Sequence, residues 1–258
     1  MRRTSACLAV LGLLVLALPG MASATPTVAI KGKAIPIPGF PHTGNILGAG
    51  TDVQGEVTIS GTEYDGSPPP VIGVTVTFPT GSKVHPQGFK TCSKATLELK
   101  RGKGCPKGSA AGPVGHALGV VSLGNTRVPE EATIESFFAP GGGLLFYTEG
   151  NSPVQLEFIS VGHLANLNGA GGVGPQFIAE VPLVETLPGA PDASAERINL
   201  TIGAAYRTKS GTPVYYATVP KKCPKGGFPV KAELTFAGVG GLPQQVASAS
   251  FKSPCPRK

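Results

Sequence analysis

The chain has 258 residues, of which 41% are hydrophobic and 14% charged, and its formal net charge is +7. This apolar content excludes an intrinsically disordered chain, because disorder goes with low hydrophobicity and high net charge. The length allows one large domain or two small ones. We therefore expect the 37 glycines and 26 prolines to separate the strands of a folded chain.

The first 24 residues have the layout of an export signal. Arg2 and Arg3 make a basic start, residues 8–18 are largely apolar, and residues 22–24 (Ala-Ser-Ala) form a small-x-small cleavage site. The apolar run is too short for a membrane-spanning helix, which needs about 20 residues. We therefore expect a signal peptide at residues 1–24, with an uncleaved membrane anchor as the alternative. No later segment is long and apolar enough to span a membrane.

Residues 25–258 are expected to form one large secreted β domain. Apolar and polar residues alternate, as is typical of half-buried strands, at 72–78, 198–206 and 228–236. Weaker alternation occurs at 53–60, 94–99, 115–123, 132–138, 143–148, 154–161, 177–185, 213–219 and 245–252. No window of a dozen residues shows a capped helical stripe. We predict an all-β fold, an antiparallel β-sandwich or jelly roll of about a dozen short strands with negligible helix.

Two β lobes are the alternative to a single domain. The tetrapeptide Cys-Pro-Lys-Gly occurs twice, at 105–108 and at 223–226. Duplication is one interpretation of this repeat, and chance in a chain rich in Lys, Gly and Pro is the other. If two lobes exist, their joint falls at 166–174 or at 187–195.

Four cysteines behind the export signal indicate structural disulfides. Cys92, Cys105, Cys223 and Cys255 allow three pairings. We predict Cys92–Cys105 and Cys223–Cys255, because each pair closes a local hairpin, and each bond contributes about 3 to 4 kcal/mol by loop entropy. A zinc site needs paired ligands two to four residues apart, and a redox dithiol needs Cys-x-x-Cys; neither spacing occurs. Such bonds are typical of proteins outside the cytoplasm.

The sequence contains no catalytic, cofactor-binding or metal-binding signature. Residues 169–174 match G-x-G-x-x-G, but the apolar residues that follow predict a strand where a nucleotide site needs a helix. The histidines are scattered, and no serine has the G-x-S-x-G pattern. A secreted carbohydrate-active enzyme remains the alternative, with a pair drawn from Glu135, Glu157 and Glu180. Outward-facing strand glutamates are the commoner interpretation.

A basic cluster and two adjacent tyrosines form the candidate binding surface. Its residues are Lys90, Lys94, Lys100, Arg101, Lys103, Lys107, Tyr215 and Tyr216. An acidic cell-wall polymer, a glycan or a surface protein fits this charge, whereas nucleic acid is excluded because no aromatic residues interleave to stack bases. A lysine-rich hairpin kept soluble by its charges is the alternative. We expect a non-enzymatic extracellular or cell-envelope protein, and retention on cell-wall fractions or a glycan array tests this expectation.

Adjacent aromatic residues constrain the strands that carry them. In each of the pairs Tyr215-Tyr216 and Phe137-Phe138, one ring should face away from the core, because successive strand residues face opposite sides. An outward ring either lies under a covering segment or forms a contact patch.

Short motifs spread over the chain carry a resemblance. They are residues 66–70 (Gly-Ser-Pro-Pro-Pro), 85–89 (His-Pro-Gln-Gly-Phe), 105–109 (Cys-Pro-Lys-Gly-Ser), 138–143 (Phe-Ala-Pro-Gly-Gly-Gly), 181–184 (Val-Pro-Leu-Val), 223–231 (Cys-Pro-Lys-Gly-Gly-Phe-Pro-Val-Lys) and 253–256 (Ser-Pro-Cys-Pro). With these motifs the chain resembles a family of uncharacterised secreted proteins from high-GC Gram-positive bacteria. The resemblance implies one exported module and carries no activity, ligand or site residue.

Overall fold

The computed structural model describes residues 25–40, 47–124, 126–167, 170–241 and 243–255. The export signal expected at residues 1–24 lies outside the described residues. The strands are β1 (Thr27–Ile35), β2 (Asp52–Ser60), β3 (Val71–Thr77), β4 (Lys83–Val84), β5 (Gly115–Leu123), β6 (Thr126–Phe138), β7 (Leu144–Gly150), β8 (Leu156–Ala165), β9 (Gln176–Glu180), β10 (Ser194–Ile202), β11 (Ala205–Arg207), β12 (Pro213–Tyr215), β13 (Ala217–Thr218), β14 (Phe228–Phe236) and β15 (Gln245–Ser253). A short α-helix, α1 (Lys94–Lys100), follows β4. Within the described ranges no helix has the length and apolar character needed to cross a membrane.

Eleven strands form one antiparallel sheet, in the order β1-β2-β10-β5-β6-β7-β8-β9-β3-β14-β15. Its edge strands β1 and β15 lie side by side, and the Phe251 ring on β15 lies against Gly32 on β1. The sheet thus curls round and nearly closes, so that its two halves face each other across one interior. The predicted all-β antiparallel fold is confirmed, since helix makes up 7% of the structure against about a third in a typical globular domain.

The alternation of apolar and polar residues builds the interior. On β14, Ala232, Leu234 and Phe236 are buried, whereas Lys231 is exposed. Successive strand residues face opposite sides of a sheet, so the apolar set of each strand points inward. Ile59 on β2 joins the β14 side chains in one cluster across the interior. The predicted alternation of apolar and polar residues along β14 is confirmed.

The prediction of a strand at 94–99 is wrong, because α1 occupies this segment. Ser93 caps the helix, and its hydroxyl oxygen accepts a hydrogen bond from the backbone N–H of Thr96 at 3.1 Å. Leu97 is fully buried, whereas Leu99 is 82% exposed. Leu97 and Leu99 are separated by one residue, a spacing that is typical of one face of a strand. The N-cap and the single buried leucine favour a helix instead.

The chain between Cys92 and Cys105 forms a cover over the outer face of the sheet, and the hairpin predicted there does not exist. We call residues 92–105 the cover segment. After α1 it continues into a 3-10 turn, Gly102–Gly104. Leu97 packs in one apolar cluster with outward side chains of β6 and β7, namely Phe137, Leu145 and Tyr147. This places Phe137 under a covering segment, while its neighbour Phe138 faces the interior.

Both predicted disulfide pairs are confirmed. The Cα atoms of Cys92 and Cys105 are 5.2 Å apart, and those of Cys223 and Cys255 are 6.0 Å apart, within the usual range of about 4.4 to 6.8 Å. The second pair flanks the β14–β15 hairpin, as predicted. Two disulfides fit a protein that works outside the cytoplasm.

The repeated Cys-Pro-Lys-Gly sequence forms the same turn at both places. Gly108 and Gly226 have φ angles of +87° and +86°, a conformation that glycine adopts without the steric cost of a side chain. In each turn the backbone N–H three residues after the proline donates to the proline carbonyl oxygen, at 3.0 and 3.1 Å. The sequence repeat is therefore a repeated local turn.

Candidate ligand-binding cavity

The nearly closed sheet surrounds an apolar cavity of about 400 Å³. Every strand of the large sheet contributes to its wall. Val57, Phe158 and Leu200 face this interior yet stay only partly buried, so the core side chains do not fill the space between them. Small-molecule sites are typically concave, mostly apolar and about 300 to 1,000 Å³ in volume. The cavity is therefore the candidate functional site.

The space exists because many inward positions carry small side chains. Examples in the cavity wall are Ala34, Ala117, Ala132, Ala179 and Ala232. The chain contains no tryptophan that could fill the interior. Protein cores are normally packed with few voids larger than a water molecule, so this composition leaves a cavity that a typical core would lack.

Gly55 on β2 is an inward position with open space beside it. It shares a face of the strand with Val53 and Val57, and it pairs with Gly32 on β1 and Leu200 on β10. A Cβ atom built at Gly55 meets no atom within 4 Å. The φ angle of Gly55 lies outside the left-handed region, so other residues can adopt this backbone. A side chain introduced here would project into the cavity.

Aromatic rings pack behind one part of the cavity wall. Tyr216, which precedes β13, lines the cavity. Its ring centroid lies 4.7 Å from that of Phe138 and 5.8 Å from that of Phe89, and the Phe89 and Phe138 centroids are 4.7 Å apart. Such tilted and edge-on pairs are favourable geometries for aromatic rings, so these contacts stabilise this part of the wall.

Tyr216 differs from the sequence prediction in its position. Its side chain lies in the interior, 3% exposed, whereas Tyr215 is half-buried against Phe40, with ring centroids 6.0 Å apart. The adjacent rings face opposite ways, as predicted, but Tyr216 does not belong to an outer surface with the lysines. Its hydroxyl has no hydrogen-bond partner among the described residues. Burial raises the pKa of Tyr216, so the hydroxyl keeps its proton at neutral pH.

Glu130 on β6 places a carboxylate in the wall of the cavity, where the residue is 3% exposed. One oxygen accepts a hydrogen bond from the Ser152 backbone N–H at 3.2 Å, and the other accepts one from Val154 at 3.0 Å. The carboxylate thus holds the loop between β7 and β8. The buried hydroxyls of Thr148 and Ser160 lie in the same wall.

The predicted basic surface lies on and beside the cover segment. All six of its cationic residues are exposed: Lys90, Lys94, Lys100, Arg101, Lys103 and Lys107. Lys94 lies 3.8 Å from Glu98 in an i,i+4 pair. A contact between this surface and an acidic polymer, a glycan or a surface protein stays a prediction.

Arg101 turns back from the cover segment to the sheet and binds two glutamates. One guanidinium nitrogen donates to Glu149 at 3.3 Å, and the other donates to Glu157. The hydroxyl of Tyr147 donates to the second oxygen of Glu157 at 2.8 Å. Burial, together with this hydrogen bond, raises the pKa of Tyr147. Glu157, a candidate catalytic residue from the sequence, therefore takes part in an ion pair.

The structure brings two of the three candidate glutamates under the same cover. The carboxylate of Glu135 lies against Gly102 of the cover segment, next to the Arg101 that binds Glu157. Glu180 is exposed at the end of β9. These three side chains lie on the outer face of the sheet, away from the apolar cavity.

Arg127 is a cation that the sequence did not single out. From the start of β6 it donates to the hydroxyls of Ser122 at 3.0 Å, Ser67 at 2.6 Å and Ser194 at 2.9 Å, and to the carbonyl oxygen of Asp192 at 3.0 Å. Burial lowers the pKa of Arg127. This network ties two loops to the ends of β5, β6 and β10, so we assign it a structural role.

The glycine-rich segment at 169–174 is followed by a strand. A 3-10 turn, Ala170–Gly172, leads into β9, as predicted, while Gly169 lies outside the described residues. Across the described parts of the chain, no group of three or more His, Cys, Asp and Glu side chains is placed to hold a metal ion.

Comparison of the chain with protein-family models, with curated proteins and with solved structures finds no match. The resemblance to secreted proteins of high-GC Gram-positive bacteria stays a prediction. The function of the cavity is therefore inferred from the residues that line it.

Proposed function

We propose that this protein is a non-enzymatic binding protein of the extracytoplasmic space that holds one small apolar molecule inside its sheet. The observation that carries the proposal is a cavity of about 400 Å³ with a wall of mostly aliphatic and aromatic side chains. An apolar molecule that enters such a site gains about 25 cal/mol for each Å² of apolar surface removed from water. We therefore favour a ligand in the interior over the surface polymer expected from the sequence.

The unfilled interior supports a ligand. Protein cores are normally packed with few voids larger than a water molecule, and side chains that line an empty space lose van der Waals contacts. A chain selected for stability alone would fill this space, and a bound apolar molecule restores the missing contacts.

The location outside the cytoplasm rests on two features. Two cysteine pairs lie at disulfide distance, and such bonds persist in oxidising compartments. The basic and apolar start of the chain, with its small-x-small site, has the layout of a cleavable signal.

A neutral apolar fluorophore, N-phenyl-1-naphthylamine, tests the proposal. We expect the wild-type protein to bind it at one saturable site, with enhanced and blue-shifted emission. Gly55→Leu places a side chain in the cavity and should weaken binding at least about fivefold, because steric overlap costs about 1 to 3 kcal/mol. The same change should stabilise the ligand-free protein by about 0.5 to 2 kcal/mol, as cavity filling commonly does.

Thr58→Leu is the matched control. Thr58 lies on the same strand, three residues further on, and does not line the cavity. It should leave fluorophore binding unchanged. Absence of saturable binding to the wild-type protein, or equal binding by the Gly55→Leu and wild-type proteins, would overturn the proposed function.

A further inference from the structure

The cover segment presents a large apolar side chain to solvent. Leu99 on α1 is 82% exposed, more than any other large apolar side chain among the described residues. Leu97 packs on the sheet, and residues of an α-helix follow each other at about 100°. Leu99 and the exposed Ala95 therefore project on the side of α1 that faces away from the sheet. A single exposed leucine is common on protein surfaces, so its surroundings decide what it means.

Cations surround Leu99 on the cover segment and its flanks. Between residues 90 and 107 the sequence has six lysines and arginines, with Glu98 as the one acidic residue. The side chain of Lys100 lies beside Gly104, and that of Lys90 lies beside Gly108. The disulfide joins the two ends of the cover segment. Because the segment is a short closed loop, its cations and its exposed leucine share one small area.

The protein neutralises few of these charges. Arg101 binds two glutamates of the sheet. Lys94 and Glu98 are 3.8 Å apart, and both side chains are more than half exposed. No ion pair among the described residues includes the other four cations, which are Lys90, Lys100, Lys103 and Lys107. The surface is therefore available to an anionic partner.

We infer that the cover segment docks on a lipid bilayer that contains anionic lipids, with Leu99 entering the boundary between headgroups and acyl chains. Apolar side chains at that boundary and cations at the headgroups act together in peripheral membrane binding. An acidic polymer would attract the lysines but offers no apolar layer to Leu99, so the combination favours a bilayer. This docking goes beyond the proposed function and does not depend on it.

Cosedimentation with vesicles tests the role of Leu99. We expect the wild-type protein to bind vesicles of equal parts phosphatidylglycerol and phosphatidylcholine, and not to bind vesicles of phosphatidylcholine alone. Leu99→Ala should weaken binding at least about fourfold, because each CH₂ group removed from water contributes a factor of about four. Leu123→Ala is the matched control. Leu123 is also exposed, but it lies at the turn of the β5–β6 hairpin, away from the cover segment, and its replacement should leave binding unchanged.

A lysine pair tests the charge. Lys100→Gln should weaken binding to the anionic vesicles about fivefold, the value of one cation near an anionic surface. Lys33→Gln is the control, because Lys33 is exposed on β1 and three strands separate β1 from β6 in the sheet. It should bind the vesicles like the wild-type protein.

A polymer without acyl chains separates bilayer docking from attraction to charge alone. Leu99→Ala should leave the affinity for poly(glycerol phosphate) unchanged. The docking is overturned if the wild-type protein does not bind the anionic vesicles, or if Leu99→Ala binds them as tightly as the wild-type protein. It is also overturned if Lys33→Gln weakens vesicle binding as much as Lys100→Gln, or if Leu99→Ala weakens polymer binding as much as vesicle binding. In each of these cases the proposed function stands, since fluorophore binding tests it separately.

Discussion

Arg101 reaches two strands of the sheet from a backbone conformation that side-chain-bearing residues rarely adopt, with a φ angle of +55°. Its guanidinium joins Glu149 on β7 and Glu157 on β8. These glutamates stand directly opposite each other, and like charges in such cross-strand positions are destabilising. The arginine therefore neutralises the pair and fixes the cover segment to the sheet.

Replacement of Arg101 should destabilise the fold modestly. Arg101→Ala is expected to lower the free energy of unfolding by about 1 kcal/mol, since the side chain is half exposed and water screens its ion pairs. Arg101→Gly should cost less than Arg101→Ala, because glycine adopts a positive φ without strain. Urea denaturation at neutral pH measures both. Lys103→Ala, an exposed change two residues away, should fall within about 0.5 kcal/mol of wild type; a loss equal to that of Arg101→Ala would contradict the ion-pair role.

Single residues show what alternation can and cannot predict. The pair Tyr215-Tyr216 was expected to divide between two faces of the chain, and it does. Which tyrosine faces the interior was not predictable, because a shift of one residue in register exchanges the two faces of a strand. Both residues are tyrosine, so the two positions do not differ in polarity and neither is marked as the outer one.

Among the elements, alternation predicted the two strands of the C-terminal hairpin accurately. The predicted strand at 228–236 coincides with β14, and the one at 245–252 matches β15 to within a residue. The predicted strand at 198–206 is divided between β10 and β11, since residues 203 and 204 belong to neither strand. A Cβ atom at Gly203 would lie 2.6 Å from the Cα of Asp52. Alternation also predicted a strand at 94–99, where Ser93 caps the helix α1 instead.

The C-terminal disulfide is expected to matter more than the N-terminal one. Cys255→Ser should lower the free energy of unfolding by about 2 to 5 kcal/mol, because β15 is the last strand and also the strand that closes the sheet against β1. Cys92→Ser should cost no more than this, since Leu97 and Arg101 also hold the cover segment. Chemical denaturation of the oxidised proteins measures the two losses.

Non-reducing peptide mapping provides the control for this comparison. It should recover Cys92 linked to Cys105, and Cys223 linked to Cys255. A link between Cys92 and either C-terminal cysteine, or a larger loss for Cys92→Ser than for Cys255→Ser, would contradict the role assigned to β15.

At the scale of the whole molecule, the sequence predicted the fold class and the disulfides but not the cavity. Closure depends on β1 and β15 lying together, a contact between the two ends of the domain that local periodicity does not encode. A signal was present in the small residues at inward positions, such as Gly32 and Ala34 on β1 and Gly55 on β2. Their meaning depends on which strands surround them, and that follows only from the order of strands in the sheet.

We propose that an apolar ligand lies inside the nearly closed sheet. Intermolecular nuclear Overhauser effects between 1-dodecanol and methyl-labelled protein test it most directly, because they report contacts between ligand protons and individual side chains. We expect contacts with the inward methyl groups of Val57 and Leu200. Contacts confined to the exposed methyl groups of Leu99 and Val246, with none to Val57 or Leu200, would contradict it.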